Sequence, residues 1–324
     1  MKLSVIVPAY RLEKFIAPCL DSLLTQDVDC PFEVIVCNDA SPDGTLAAIG
    51  ALAERHPRLR VLDNPENLGL VSTMGRLLAA ASGDYIAYLD GDDLALPGKL
   101  QAQVDHLDAH PDCGIVFHDC EVFDSESGAV IKRYSRDYYN AAYIPPRSTA
   151  SHLVRYGTYL NASSVMIRRH DHLADALGHG CRIICDYPWH IGNALLGCGS
   201  IDRLDAPLGR YRIHAGSFGA QTDRDPARRI AVTHELEQAC RFAGELGLAP
   251  DIVAQGIAHA RFSAALYFLR TGADALFTQF IDESAAPGGL AGWWFDARHE
   301  RLHALRHEPG AARHYLGWKH VGLV

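Results

Sequence analysis

Along the first 120 residues, short apolar runs alternate with stretches whose apolar residues recur every three or four positions. Leu3 to Val7 is a short β-rich run, and Ile16, Cys19, Leu20, Leu23 and Leu24 then fall at helical spacing. Glu33 to Cys37 reads as a second strand, followed by the turn cluster Asn38-Asp39-Ala40-Ser41-Pro42-Asp43-Gly44. Leu46, Ile49, Leu52 and Ala53 predict the next helix, and Arg60 to Leu62 a third strand. Met74, Leu77, Leu78 and Ala81 predict a helix that ends at Ser82-Gly83, and Tyr85 to Leu89 a fourth strand. Pro97 opens a helix carrying Leu100, Val104 and Leu107, and Ile115 to Phe117 forms a fifth strand. This alternation implies a largely parallel sheet with helices on both faces. Such sheets bind ligands beyond the carboxyl ends of their strands. Pro8-Ala9-Tyr10, Asn38-Asp39 and Asp90-Gly91-Asp92 all fall there, so the topology gathers them at one edge.

From about residue 120 to 220 the pattern is less regular, with a Tyr-rich loop through Tyr134, Tyr138, Tyr139 and Tyr143. A loop of this kind either contacts substrate or is an ordinary surface loop with aromatic anchors. After Gln221-Thr222-Asp223-Arg224-Asp225-Pro226 the character changes, and Ala227 to Leu246 and Pro250 to Leu269 read as helices. A boundary near residue 222 divides an α/β domain, 1–222, from a mainly helical region, 223–324.

The chain has 324 residues, 48% hydrophobic and 21% charged, enough for one large domain or two smaller ones. A formal charge of -9 and a pI near 6.0 argue against broad nucleic-acid binding. The nine cysteines are scattered, form no Cys-x-x-Cys pair and are odd in number, which suits reduced thiols. Cys181 and Cys185 with His179 and His190 match no standard zinc spacing, and core packing is the favoured reading. The first apolar run is too short for a signal sequence, and no uninterrupted apolar stretch approaches the roughly 18 residues of a membrane span. The expected location is cytoplasmic, with peripheral contact at the inner face of the cytoplasmic membrane left open.

Asp90-Gly91-Asp92-Asp93 places three carboxylates in four residues directly after an apolar run. Carboxylates this close repel unless a positive group sits among them, and the usual neutraliser of an oxygen-rich site is Mg²⁺ or Mn²⁺. Alone, an Asp-x-Asp is equally a solvated acidic turn. Its convergence with two other polar clusters on one sheet edge favours the metal.

The chain resembles glycosyltransferase family 2, whose fold is GT-A: Rossmann-like, with a mostly parallel central sheet flanked by helices. Ser4-Val5-Ile6-Val7-Pro8-Ala9-Tyr10 resembles the family's opening strand and nucleotide-contacting turn. Glu33 to Thr45 resembles its second strand and turn, and Asn67-Leu68-Gly69 followed by Ala81 to Asp93 the stretch into its metal motif. Asn161 to Arg169 looks like the acceptor-side strand, Cys185-Asp186-Tyr187-Pro188-Trp189 sits where the family has Glu-Asp, and Tyr211-Arg212-Ile213-His214 with Ser217 is similar to a closing segment. The likeness runs from about residue 2 to 218.

That resemblance implies an inverting transferase moving a sugar from a nucleoside-diphosphate donor, UDP favoured, to a hydroxyl of a glycan or lipid-linked acceptor. It also implies bacterial surface polysaccharide or lipopolysaccharide synthesis. Pro8, Ala9, Tyr10 and Asp39 would line the nucleotide base, joined by Glu13, with Asn67 near the nucleotide. Asp90 would face the ribose and metal side of the donor, and Gly91 and Asp92 would also belong to the donor-binding set. Asp92 and Asp90, with His214, would hold Mn²⁺ or Mg²⁺, and Asp186 would be the general base. One base and no enzyme nucleophile give displacement with inversion, whereas glycosidases need two carboxylates flanking the bond. Asp39 has a plainer reading as the cap of the turn before the Thr45 helix.

Three positions depart from the family pattern. Arg11 stands where Asn often follows the Tyr, Gly75 where many members carry Asn, and Cys185 in place of the Glu before the base. A sugar nucleotidyltransferase would need a Gly-rich basic loop after the first strand, which Pro8 to Lys14 is not. An EF-hand-type calcium loop starting at Asp90 would need an oxygen ligand at Leu94 and Glu at Gln101. A catalytically inactive scaffold is disfavoured by Asp39, Asp92 and Asp186 standing together. In the C-terminal region, Trp293, Trp294 and Trp318 lie near Arg298, Arg301, Arg306, Arg313 and Lys319. That mixture suits a membrane interface, and equally a helical subdomain whose Trp residues pack on the core or on a second copy in a homodimer.

Overall fold

The computed structural model describes residues 1–177, 180–285 and 293–318. By packing the chain divides into two units. One holds Met1–Ala150, Thr158–Gly178 and Trp189–His214, and the other Ser151–Gly157, His179–Pro188 and Ala215–Val324.

The first unit begins β1 (Leu3–Ala9), α1 (Ile16–Leu24), β2 (Phe32–Asn38), α2 (Thr45–Ala53), β3 (Leu59–Asp63), α3 (Leu70–Ala80), β4 (Tyr85–Tyr88), β5 (Leu94–Ala95) and α4 (Lys99–Ala109). Then come β6 (Cys113–Asp124), β7 (Val130–Arg133), β8 (Arg147–Ser148), α5 (Ala150–Tyr156), β9 (Val165–Arg168), α6 (Asp186–Leu196) and β10 (Ser200–Ile213). The unit divide falls within α5 and again within α6, after Pro188.

The strands form one sheet in the order β3-β2-β1-β4-β9-β6-β10-β5, with β7 on β6 and β8 on β10. β3, β2, β1 and β4 run parallel, as the alternation of strands and helices requires. The other half is mixed, because β9 is antiparallel to both β4 and β6. Every residue of β1 and β2 is buried, and both strands are apolar apart from Ser4, Glu33 and Asn38. Leu3, Val5 and Val7 of β1 share one core with Ile16, Leu20 and Leu23 of α1, Ile49 of α2 and Val104 of α4. Met74, Leu77 and Leu78 of α3 are buried outside that cluster, and α3 packs on β1 and β2. Helices therefore cover both faces of the parallel half. Each fully buried Leu or Ile contributes roughly 1.5–3 kcal/mol.

A buried carboxylate ties three strands together. Glu33 of β2 accepts from Ser4 Oγ of β1 (2.8 Å), from Arg60 Nη1 of β3 (2.6 Å), and from the Ser82 hydroxyl (2.7 Å) and amide (3.2 Å). Burial would raise its pKa, but the Arg60 and serine donors outweigh it and take the carboxyl down to about 2.

The second unit is helical beyond His214: α7 (Phe218–Arg224), α8 (Pro226–Glu245), α9 (Pro250–Thr271), α10 (Asp274–Ser284), α11 (Ala297–Ala304) and α12 (Pro309–Tyr315). α8 starts on Asp225, whose side chain accepts from Ala227 N–H, with Pro226 in the first turn. Pro250 opens α9, and Gly272 ends it in the left-handed region at φ 81°. α9 has the length and hydropathy of a membrane span, but 56% of that stretch is buried in the protein. Its Phe262, Ala265 and Phe268 form a core with Phe277, Phe280 and Leu302, which identifies it as this unit's central helix. Trp318 packs against that core, and Trp293 and Trp294 meet the His299 ring edge-on at 6.0 and 5.4 Å. Arg298, Arg306 and Arg313 pair with Asp296, Asp282 and Asp274. Lys319 lies outside the described residues.

The folded Glu33 carboxyl, at about 2, lies below its ordinary 4.5. Its contribution to stability is complete above pH 4.5 and is lost as pH falls toward 2. Glu33→Gln is expected to flatten the acid limb of a urea-midpoint-versus-pH curve in that window. An unchanged slope would show that Glu33 does not carry this linkage.

Candidate active site

The first two strand ends are stitched into one surface. Asp39 N–H donates to the Ala9 carbonyl at 2.9 Å, which sets the β2 turn beside Pro8-Ala9-Tyr10. Arg11 N–H reaches Ser41 Oγ (3.1 Å), Leu12 N–H reaches Thr45 Oγ1 (2.8 Å), and Glu13 Oε2 accepts from Gly44 N–H (3.2 Å). Asp43 closes the turn before α2 by accepting from the Thr45 amide and hydroxyl. Asp39 is therefore not that cap. Asp39 is buried, and its Oδ1 accepts from Leu68 N–H (2.8 Å) and Asn64 Nδ2 (2.6 Å), its Oδ2 from Gly69 N–H (2.9 Å). Asn67 Nδ2 donates to the Asp39 carbonyl at 3.3 Å, so Asn67 joins the same surface.

Two residues on this surface hold a left-handed backbone: Arg11 at φ 57° and Ala40 at φ 52°. Such strain persists only where the surroundings enforce it, and it concentrates at functional turns. It also accounts for the Asn of the family pattern at this position, since Asn tolerates this region better than Arg; nothing in the structure explains the Arg. Gly75 lies on α3, where a Cβ would meet nothing within 4 Å, so the missing Asn leaves open space.

The acid motif packs against the same edge. A Cβ on Gly91 would come within 2.9 Å of the Pro8 carbonyl oxygen and 2.6 Å of Leu12 Cδ1, so only glycine fits between Asp90 and Asp92. Asp90 is held by the Tyr88 hydroxyl and by Ser163, whose Oγ accepts from Asp90 N–H and donates to Oδ2. Asp92 Oδ2 lies 3.0 Å from His214 Nε2, at the end of β10, and the His214 ring packs at 4.7 Å on Phe15. The structure thus joins Asp92 to His214 while hydroxyls restrain Asp90.

Asp93 is fully buried beneath them. Its Oδ1 accepts from Arg212 N–H at 2.8 Å, and its Oδ2 has no hydrogen-bond partner among the described residues. Burial, with Asp92 and Asp90 beside it, pushes this carboxyl well above the usual range. Arg212 Nε donates to the Asp92 carbonyl at 2.6 Å, clamping the motif to β10. Lys99, buried on α4, donates to the Ser163 carbonyl at 2.6 Å, and burial lowers its pKa to about 8. Asp93 and Arg212 stand within the motif and closing segment read from the sequence, without these contacts, and Lys99 was not singled out. For Lys99 a signal was present: Lys99 and Gln103 interleave with Leu100, Val104 and Leu107 on one buried helix face.

In the second unit, Asp186 is the first residue of α6, half-buried, at a helix end that favours negative charge. The loop before it wraps a carboxylate. Glu235 of α8 accepts from Arg182 N–H (2.9 Å), Ile183 N–H (2.8 Å) and Ile184 N–H (2.8 Å). Just past Asp186, the Tyr187 hydroxyl donates to the Leu153 carbonyl at 3.2 Å. Cys185 is a buried thiol where the family pattern has Glu. Cys181 is also buried, its Sγ on the Glu235 carbonyl at 3.6 Å, and His179 lies outside the described residues. Among the described residues, the one convergence of three metal-type side chains is His106, Cys113 and Asp202. Arg147 already takes both Asp202 oxygens, at 3.0 and 2.8 Å, so that group is internally neutralised.

Residues 4–174, more than half the chain, match the model of Glycosyl transferase family 2. Uncharacterized protein Rv1520 of Mycobacterium tuberculosis is 32% identical over 230 residues, covering 68% of this chain and 62% of that protein. The alignment thus spans less than two thirds of this relative's length. Among solved structures, Staphylococcus aureus TarS in complex with UDP-GlcNAc aligns at TM-score 0.60 with 19% identity, covering 96% of this chain and 88% of that one. The mannosyltransferase PcManGT of Pyrobaculum calidifontis, in complex with GDP-Man and Mn²⁺, aligns at 0.59 with 21% identity, covering 98% and 87%. The fold is that of the GT-A glycosyltransferases. The chain belongs to glycosyl transferase family 2.

Arg11→Asn relieves the left-handed strain and is expected to raise stability by roughly 1 kcal/mol, read from the denaturant midpoint. Gly91→Ala should lower it, because the new Cβ meets backbone. The reverse order would show that the edge is not under the strain described.

Proposed function

We infer that the chain is an inverting glycosyltransferase that moves a sugar from a nucleoside-diphosphate donor, UDP favoured, to a hydroxyl of a glycan or lipid-linked acceptor. The observation that carries this reading is the Asp92–His214 pair, 3.0 Å apart, on the sheet edge where the turns of Pro8-Ala9-Tyr10 and Asp39 converge in a family 2 chain.

The residues present fit a divalent cation. Asp92 offers oxygen and His214 nitrogen at one point, and the Asp90 and Asp93 carboxyls lie in the same four-residue motif. Asp92 and His214 would hold Mn²⁺ or Mg²⁺, which when bound would neutralise the charge of the departing diphosphate; Asp90, whose oxygens lie on Tyr88 and Ser163, would complete the set only by turning from those hydroxyls. PcManGT, with GDP-Man and Mn²⁺, supports a metal of this kind. Pro8, Ala9, Tyr10, Glu13, Asp39 and Asn67 bind and orient the nucleotide. Gly91 keeps the motif backbone against Pro8. Asp186 accepts the proton of the acceptor hydroxyl on a carboxylate oxygen while the hydroxyl oxygen of the acceptor attacks the anomeric carbon. The new C–O bond forms as the bond to the diphosphate oxygen breaks, and the nucleoside diphosphate leaves with that electron pair. Glu235 fixes the backbone that leads into Asp186.

Thermal shifts with UDP-sugars and GDP-mannose, with and without Mn²⁺, test the donor and metal. Asp92→Asn is expected to abolish the metal-dependent part of the shift; a shift that persists in full would refute the metal assignment. Asp186→Asn should keep the donor shift and lower donor turnover about 10²–10⁴-fold. Glu235→Ala should lower turnover roughly tenfold to a hundredfold with donor affinity unchanged. Partial recovery in Glu235→Gln would separate positioning of the base from general loss of structure.

A further inference from the structure

A cavity of about 390 Å³ lies in the first unit, lined by Asp119, Arg133, Ser135, Arg136, Arg203 and Asp205. None of these residues belongs to the donor and metal set. Two backbone features build it. First, Leu204 pairs with His118 and Pro207 with the next residue, Asp119, so Asp205 and Ala206 bulge out of the β10 ladder. Second, the chain turns back after β7, where Ser135 N–H donates to Asp119 Oδ1 at 2.9 Å. The Tyr-rich loop thereby forms one wall, while Arg203 and Asp205 come from the bulged strand.

The cavity's chemistry is that of an oxyanion receptor. Buried Asp119 holds Arg133 by its Nε at 2.9 Å, and Asp205 holds Arg203 by its Nε at 3.0 Å. In each case the two Nη groups remain available, in the fork geometry that matches a carboxylate or phosphate. Arg136 has neither a hydrogen bond nor an ion pair among the described residues. Three guanidiniums against two carboxylates leave one net positive charge, which a single monoanion balances. This is a local reversal in a chain whose formal charge is -9.

Its position connects it to the acid edge. Tyr134 lies between Arg133 and Ser135 and packs edge-on against Tyr211 at 5.8 Å. The next residue, Arg212, grips the Asp92 carbonyl and Asp93.

We propose that this cavity is an acceptor subsite that binds a single negative charge, a carboxylate or phosphodiester, on the glycan to be extended. The assignment rests on the glycosyltransferase reading and adds the class of acceptor: an anionic glycan. Titration calorimetry of the full chain at low salt tests it with three probes: methyl glucuronide, a glycerol phosphodiester and the neutral methyl glucoside. At least one anionic probe is expected to bind about tenfold or more tightly than the neutral one, and the stronger of the two identifies the charged group. Arg136→Gln and Arg203→Gln should each reduce that preference about tenfold. Arg136 is exposed, so its replacement leaves the fold intact. Equal affinity for charged and neutral probes, no binding of any probe, or an undiminished preference in Arg136→Gln would each overturn the proposal. The UDP-dependent thermal shift of the same proteins separates the two readings. If it is present while the anion preference is absent, only the acceptor assignment falls; if the shift itself is missing, the glycosyltransferase reading falls with it.

Discussion

The first unit is organised around the cost of keeping three carboxylates together at the end of β4. In water, unit charges 4 Å apart repel by only about 1 kcal/mol, but the penalty grows steeply as water is excluded. The structure meets it by giving the three acids different surroundings. Asp92 faces an imidazole, Asp90 is held by hydroxyls, and Asp93 is buried where its neutral form is favoured. The Arg212 backbone and guanidinium then bind the motif to β10, and Lys99 supports Ser163 from below. The end of β10 is thus fixed by the acids, and the acids by β10.

Elements were legible where burial was uniform. α1 (Ile16–Leu24) coincides with its apolar spacing, and β2 (Phe32–Asn38) extends its apolar run by one residue at each end. β6 (Cys113–Asp124) is much longer than its apolar segment Ile115 to Phe117, because polar His118 and Asp119 are buried in it with their own partners. β10 was obscure for another reason. Its sequence, SIDRLDAPLGRYRI, mixes charges with a bulge, so neither strict alternation nor a continuous apolar run is present. The antiparallel β9 could not be inferred from alternation, which speaks only to crossovers between parallel strands.

The site residues came from motif likeness, and the structure adds the reasons behind their spacing. Glycine at 91 answers a steric limit set by the Pro8 carbonyl. The position after Tyr10 calls for a residue that tolerates positive φ, which the sequence alone could not reveal. Asp39 and Asp43 lie four residues apart in one turn cluster and do different work, one holding the Asn67-Leu68-Gly69 loop and the other closing a helix start. Glu235 left no trace in the sequence, since its amide partners lie about fifty residues upstream.

That last contact bears on how modular the chain is. A cut after the sheet would look harmless by sequence, because the likeness to the family fades near residue 218. Yet Arg182, Ile183 and Ile184, encoded before the last strand, give their amide protons to a carboxylate on α8. Removing the helices would leave three neighbouring N–H groups without an acceptor, immediately ahead of Asp186. Grafting the helical region of another family member would bring the same loss unless its first long helix offered a carboxylate at the same height. The helices are therefore part of the loop's own backbone accounting, and the two can be exchanged only as a matched pair.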